Sequence, residues 1–190
     1  MSTNHNPVYK RGLLSLVVAA LMATSAYADE DKIRSAMSAA PDSISMEARI
    51  MDWPAEEGGE MMELRAGSNG WTCLPDMPAT PGNDPMCLDA PWMAWAEGWM
   101  NHTEPQYNQM GFGYMLQGST AESNLDPYAK EATADNEWIS EGVPHLMIVV
   151  PDASMLEGLP TEHDNGGPWV MWRDTPYVHI MAPMPKHDAM

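Results

Sequence analysis

The apolar segment near the N-terminus decides which residues of this chain fold together. A basic pair, Lys10-Arg11, precedes an apolar run over residues 12–25, and the small-x-small sequence Ala-Tyr-Ala follows at 26–28. Basic, apolar and small residues in this order are typical of a secretory signal peptide. We therefore predict that residues 1–28 are a cleaved signal peptide and that residues 29–190 form one exported domain.

A membrane anchor is the alternative interpretation of the same apolar run. The run is shorter than the roughly 20 residues that a membrane-spanning helix needs, and no Cys follows it at which a lipid could be attached. No second long apolar run exists in the chain. We expect a protein that is periplasmic or secreted, has no membrane association after cleavage, and ends in a flexible tail at 183–190.

The charge of the chain limits its partners. The sequence has 27 acidic and 9 basic residues, a net charge of −18, and all the acidic residues follow residue 28. Such a field repels phosphate backbones and anionic lipids, which excludes nucleic-acid binding, and it attracts a cationic or protein partner. The alternative is that the acidity only keeps an exported protein soluble.

The large side chains are of unusual kinds. Leu, Ile and Val are scarce and there is a single Phe, a composition associated with disorder in so charged a chain. Against disorder, 19 Met and 8 Trp supply large apolar side chains, and they fall in periodic segments. The pattern predicts a folded domain whose core is built from thioethers and indoles, which make favourable sulfur to aromatic contacts.

The two cysteines, Cys73 and Cys87, both belong to the exported part. An even pair in an oxidising compartment predicts one disulfide, here closing a loop rich in Pro and Gly. A redox-active pair is the alternative, but the C-x-x-C spacing is missing.

Periodicity indicates an α+β fold, an antiparallel sheet of about six or seven short strands with two or three helices packed on one face. Helices are predicted at 31–40, after an Asp89 cap, and after an Asp152 cap. Strands are predicted at 44–50, 62–66, 71–74, 111–118, 145–150, 169–172 and 177–181. The turn at 67–70 is expected to join the second and third strands as a hairpin, and residues 119–142 are assigned to loop or short helix.

The principal helix carries an aromatic stripe. Trp92, Trp95 and Trp99 recur at helical spacing, which predicts a core helix lying on the sheet. A platform on which a sugar or cofactor stacks is the alternative.

Four segments resemble a group of exported bacterial proteins described only as hypothetical: 68–75, 81–89, 113–118 and 167–172. The resemblance covers most of the domain and implies a bacterial, exported origin. It implies no activity, cofactor or site residue.

No motif of a known catalytic class occurs. The chain lacks a nucleophile elbow, a zinc-protease helix motif, a phosphate-binding loop, a dinucleotide fingerprint and a regular calcium loop. A Ser, His and acid arrangement assembled from distant positions stays open, so a small hydrolase is kept as an alternative.

One cluster suits a metal. On a strand, His179 and Met181 share a face, and the proline-rich tail is expected to bring Met184 and His187 close to them. Imidazole and thioether are ligands for Cu(I). The alternative is a core strand followed by a frayed tail.

The sequence thus favours a non-enzymatic exported protein, an acidic binding or interaction module without a required cofactor. A copper-binding or methionine redox-buffer protein is the first alternative, and the hydrolase is the second.

Overall fold

The computed structural model describes residues 28–56, 58–140 and 142–185. Residues 1–27 of the predicted signal peptide and residues 186–190 of the predicted flexible tail lie outside it. The helices are α1 (28–37), α2 (Asp42–Ser45), α3 (Ala90–Met100) and a 3₁₀ turn (Ala153–Leu156). The strands are β1 (Arg49–Asp52), β2 (Met62–Arg65), β3 (Thr72–Leu74), β4 (Met86–Leu88), β5 (Gly111–Met115), β6 (Glu122–Ser123), β7 (Trp138–Ile139), β8 (His145–Val149), β9 (Trp169–Met171) and β10 (His179–Pro183).

Eight strands form one mixed, mostly antiparallel sheet in the order β2-β1-β3-β4-β5-β8-β10-β9, and β6 pairs with β7 separately. Only the β1 and β3 pair runs parallel in the large sheet. The predicted α+β class is confirmed, and the strand count is larger than predicted. Among the described residues, no helix has the length and apolar character needed to cross a membrane.

The helices cover both faces of the sheet, so the expectation of helices on one face is wrong. Side chains alternate along β4 and β5, which places Cys87 and Tyr114 on the face opposite Leu88 and Met115. The first pair packs with Ala36, near the end of α1, and with Ala39 and Ala40 just after it. The second pair packs with the indoles of α3. Two cores therefore lie back to back, one rich in alanine and one rich in Trp and Met.

The strand predicted at 44–50 begins only at Arg49; residues 44–45 are helical and 46–48 form a turn. Pro41 precedes Asp42 and the chain makes the short helix α2 before β1 begins at Arg49. The hairpin predicted across 67–70 is also wrong, because β2 pairs with β1 and not with β3. Gly67 lies against the backbone of residues 48 and 49, where a Cβ atom would be only 2.0 Å from the Arg49 nitrogen. At this close crossing the chain passes from β2, on one side of β1, to β3 on the other side.

The predicted pairing of Cys73 with Cys87 is confirmed. The two residues are register partners on β3 and β4, their Cα atoms are 4.0 Å apart, and their sulfur atoms lie at disulfide distance. The bond closes the proline-rich loop between those strands. It also faces the alanine core, where both side chains are fully buried.

Helix α3 begins as the sequence predicts and lies very close to β5. The Asp89 carboxylate accepts hydrogen bonds from the Trp92 backbone nitrogen at 3.1 Å and from the Phe112 nitrogen at 2.8 Å. A Cβ atom on Gly111 would meet the Pro91 side chain at 2.8 Å. Glycine on the inner face of β5 therefore lets the first turn of the helix rest on the strand.

Candidate functional site

A cavity of about 300 Å³ lies between α3 and the inner face of the sheet. Its lining combines indoles from α3, thioethers from the strands, and two histidines on β8 and β10. Met100, which is 45% exposed, also belongs to the lining, so the cavity extends from the core to the surface. Cavities of this size and composition are typical of small-ligand sites.

A column of stacked rings forms one wall. The indoles of Trp95 and Trp172 stack at 5.8 Å, those of Trp172 and Trp99 at 6.3 Å, and Trp99 stacks on Tyr128 at 6.0 Å. Trp172 has a left-handed backbone, φ 53°, a conformation that a bulky residue adopts only when its surroundings impose it. Its Nε1 donates to the Ser123 carbonyl at 2.7 Å, which fixes the ring in the column.

Each of the two histidine rings is also held by a hydrogen bond to a backbone carbonyl. His145 Nδ1 lies 2.7 Å from the Val143 carbonyl oxygen, and His179 Nδ1 lies 2.9 Å from the Tyr177 carbonyl oxygen. A carbonyl only accepts, so each Nδ1 carries the proton and donates it. In the neutral ring the Nε2 atom of each histidine is then a bare lone pair.

Both imidazoles are kept neutral by burial. His145 is 1% exposed and His179 is 2% exposed. Burial lowers the pKa of His145, and it lowers the pKa of His179 to about 4, with His145 nearby as a smaller contribution. At neutral pH the cavity therefore presents two lone pairs and no imidazolium charge.

Methionines surround these histidines in a regular register. Met115 on β5 is the partner of His145, Met171 on β9 is the partner of His179, and Met147 is the partner of Met181 between them. Direct partners have Cβ atoms about 4.5–5.5 Å apart. All of these side chains line the cavity. We call them the His–Met patch: Met115, His145, Met147, Met171, His179 and Met181.

Two buried polar atoms, on side chains that line the cavity, have no partner among the described residues. They are the Trp95 indole nitrogen, a donor, and His145 Nε2, an acceptor, and both are buried. Leaving such atoms unpaired costs about 1–3 kcal/mol each. In native proteins an orphan of this kind calls for an explanation, such as a bound water, ion or ligand.

Three acidic residues also line the cavity: Asp84, Glu122 and the exposed Asp126. Burial raises the pKa of Glu122 to about 7, and the charge of Asp84 adds to the rise. Burial also raises the pKa of Asp84, although Thr80 Oγ1 donates to its carboxylate at 2.7 Å. Near neutral pH, Glu122 is therefore a mixture of its protonated and its ionised form.

The segment 119–142, assigned to loop or short helix, forms the small β6–β7 sheet beside the cavity. Asn124 fastens it to the large sheet, since its Oδ1 accepts from the Trp169 indole at 3.0 Å and its Nδ2 donates to the Thr161 carbonyl at 2.9 Å. Asn124 is fully buried. These hydrogen bonds therefore hold the segment in place as one wall of the cavity.

The structure brings together two of the four residues predicted for a metal. His179 and Met181 are buried side by side in the cavity, whereas Met184 is 39% exposed and does not line it. His187 lies outside the described residues. The sequence interpretation missed His145 and Met147, although a signal existed: the spacing His-x-Met occurs at 145–147 and again at 179–181.

The cavity offers binding chemistry more than catalytic chemistry. Among the described residues, no hydrogen bond joins a histidine ring to a Ser, Thr, Asp or Glu side chain, and Ser119 Oγ instead donates to Glu122 at 3.3 Å. An activated hydroxyl nucleophile needs such a bond to a base. The described residues also contain no group of three His, Cys, Asp or Glu arranged for a metal, so a metal here would need thioether ligands.

Neither the protein-family models nor the curated proteins nor the solved structures contain a match to this chain.

Proposed function

We propose that this chain is an exported, non-enzymatic binding protein that takes a small ligand into the cavity between α3 and the sheet. One observation carries the proposal: a buried donor, Trp95 Nε1, and a buried acceptor, His145 Nε2, belong to side chains that line a cavity with room for a ligand. A ligand that pairs both atoms removes their desolvation cost. The apolar lining supplies the remaining affinity.

A binding role agrees with how the walls are held. Trp172 is locked by its stacking and by its bond to Ser123, and Asn124 fixes the neighbouring wall. Rigid walls lower the entropy that is lost on binding. The small-hydrolase alternative draws no support from the cavity, because its two histidines donate to backbone carbonyls and not to a catalytic acid.

The location that we propose is the periplasm or the exterior. Support comes from the signal-like N-terminus and from the Cys73–Cys87 pair, which suits an oxidising compartment. The net charge of −18 steers cations and basic partners towards the protein and repels anions. We therefore favour neutral or cationic ligands.

Thermal denaturation with two small probes tests the proposal. Phenol carries one O–H donor and one acceptor oxygen on an apolar ring, and toluene has nearly the same shape without either. We expect phenol to raise Tm in proportion to its occupancy of the cavity, and to do so more than toluene. If neither probe raises Tm at any concentration below its solubility, the proposed cavity function is wrong.

A pair of helix variants locates the effect. Ala96 lines the cavity, whereas Ala94 on the same helix does not. Ala96→Leu fills part of the space and should abolish the phenol-induced rise in Tm. Ala94→Leu adds the same atoms outside the cavity and should leave that rise unchanged. Equal responses of the two variants would contradict binding in this cavity.

A further inference from the structure

We propose that the His–Met patch binds a soft monovalent metal cation, with Cu(I) as the natural occupant. This inference rests on the proposed binding function and names the chemical class of the ligand. Its origin is the repeated spacing His-x-Met on β8 and β10, two antiparallel neighbours. The two copies run in opposite directions, so Met147 and Met181 meet as partners and the histidines lie on either side of them.

The nitrogen ligands are already prepared. A histidine that binds a metal usually donates its other ring N–H to a carbonyl or carboxylate, which fixes the tautomer and the ring orientation. His145 and His179 both do this through Nδ1, with the Val143 and Tyr177 carbonyls as acceptors. His145 Nε2 has no partner although it is buried. Packing alone gives no reason for that free lone pair.

The sulfur ligands lie next to each nitrogen. His145 has Met115 as its partner on β5 and Met147 two residues along its own strand. His179 has Met171 as its partner on β9 and Met181 two residues along its strand. Each imidazole is thus flanked by two thioethers on the same face of the sheet.

This donor set selects the metal. Thioether sulfur is a soft ligand that suits Cu(I), whereas Mg²⁺ and Ca²⁺ require oxygen ligands. The patch contains no carboxylate, so all its ligands are neutral and a single positive charge is easier to bury than a double one. Asp84 and Glu122 line the same cavity, and each would offset that charge in its carboxylate form. Binding needs no redox step, because the metal arrives as Cu(I).

Competition with a Cu(I) chelator under anaerobic conditions tests the site in the full chain. We expect the protein to withdraw Cu(I) from a colorimetric chelator, and Ag(I), a soft cation that does not change oxidation state, to compete for the same site. Three indoles pack edge-on against His179, so both metals should quench Trp fluorescence. No withdrawal of Cu(I) and no quenching would overturn the metal site.

Leucine variants assign the ligands. Leu nearly matches Met in volume but has no sulfur, so Met147→Leu with Met181→Leu should keep the fold. We expect this pair to weaken Cu(I) binding at least about tenfold, the smallest loss that outer-shell changes cause at metal sites. The matched control is Met62→Leu with Met155→Leu, two exposed methionines, which should bind as the wild type does.

Single variants keep the test decisive if the double variant does not fold. Met147→Leu and Met181→Leu should each weaken binding, and X-ray absorption at the copper edge should show both sulfur and nitrogen neighbours. Folded single variants with wild-type Cu(I) affinity would overturn the assignment. Phenol binding separates the two ideas, because a protein that binds phenol in the cavity but not Cu(I) retains the proposed function and loses only this inference.

Discussion

The ring of His179 meets the ring of Trp172 edge to face, with 5.0 Å between their centroids. Trp92 and Trp95 pack against the same imidazole at 5.4 and 5.3 Å. This enclosure removes water from a group that would otherwise be charged in mild acid. The resulting fall in its pKa to about 4 makes the stability of the protein depend on pH.

We predict that acid destabilises the fold through His179. The unfolded histidine takes up a proton below a pKa of 6.5, whereas the folded one stays neutral until about 4, so the unfolded state binds more protons in this window. The free energy of unfolding should therefore fall as the pH drops from 6.5 to 4, with His179 contributing about 3 kcal/mol. Urea denaturation across this range measures the slope.

The variant His179→Gln cannot be protonated, so its stability should depend less on pH between 6.5 and 4. His163→Gln is the control, because His163 is only partly buried and does not line the cavity, so its replacement should leave the slope unchanged. An unaltered slope in His179→Gln would show that this imidazole is not the buried base.

Glu122 should act in the opposite direction. Its pKa is about 7 in the folded protein and 4.5 in the absence of burial, so the folded state holds the proton more tightly. Its contribution to stability is complete below pH 4.5 and is lost as the pH rises through 7. Glu122→Gln should remove this loss and raise the stability at pH 8 relative to that at pH 4.5, as measured by urea denaturation.

The control for this prediction is Glu97→Gln, a change at an exposed position of α3. It should leave the pH dependence of the wild type in place. Parallel pH profiles for Glu122→Gln and the wild type would contradict a raised pKa for Glu122.

Reduction of the disulfide should weaken the fold. Cys73 and Cys87 are 14 residues apart, and closing a loop of about 15 residues stabilises a protein by about 3 kcal/mol in the chain-entropy model. The effect should be smaller here, because the prolines in the loop already stiffen the unfolded chain. Urea midpoints with and without reductant measure it, and the double variant Cys73→Ser with Cys87→Ser should be insensitive to reductant.

A methyl group at Gly113 should displace two neighbouring side chains. A Cβ atom there would lie 2.8 Å from Leu88 Cδ2 and 2.9 Å from Met147 Cε. Gly113→Ala should destabilise the protein by only about 1 kcal/mol, because the ends of flexible side chains can shift, and it should weaken Cu(I) binding because Met147 must move. Thermal denaturation and chelator competition check the two effects. Gly167→Ala, on an exposed loop with more space, should change neither.

Asn124 should be required for the β6–β7 wall. Asn124→Ala leaves the Trp169 indole N–H and the Thr161 carbonyl without their partner. The buried Trp169 group costs about 1–3 kcal/mol when left in this state, so urea denaturation should show a loss of at least this size. Asn83→Ala, at an exposed site, is the control. A wild-type midpoint for Asn124→Ala would mean that the wall does not depend on this side chain.

Local sequence patterns predicted the helices and strands themselves better than they predicted which strands pair. The caps at Asp89 and Asp152 and the strands β5, β8 and β10 were correctly expected, because short-range hydrogen bonds and alternation determine them. The placement of β2 beyond β1 depends on the crossing at Gly67. No periodicity within one segment encodes such a crossing.

The same distinction holds for the site. Alternation along one strand was enough to place His179 beside Met181. The link to His145 depends on β8 and β10 being neighbours, a contact between residues far apart in the sequence. The helical spacing of Trp95 and Trp99 predicted a core face, but the cavity beneath it depends on the strand packing.

The aromatic column described above has a spectroscopic consequence. Trp95, Trp172, Trp99 and Tyr128 hold their chromophores nearly parallel, at interplanar angles of 8°, 10° and 5° from one neighbour to the next. Transition dipoles fixed at such distances couple to one another, which gives intense near-ultraviolet ellipticity that disappears when side-chain packing is lost. Near-ultraviolet circular dichroism should therefore report on the tertiary packing of this protein. Because the column forms a wall of the cavity, a bound ligand should change the same signal.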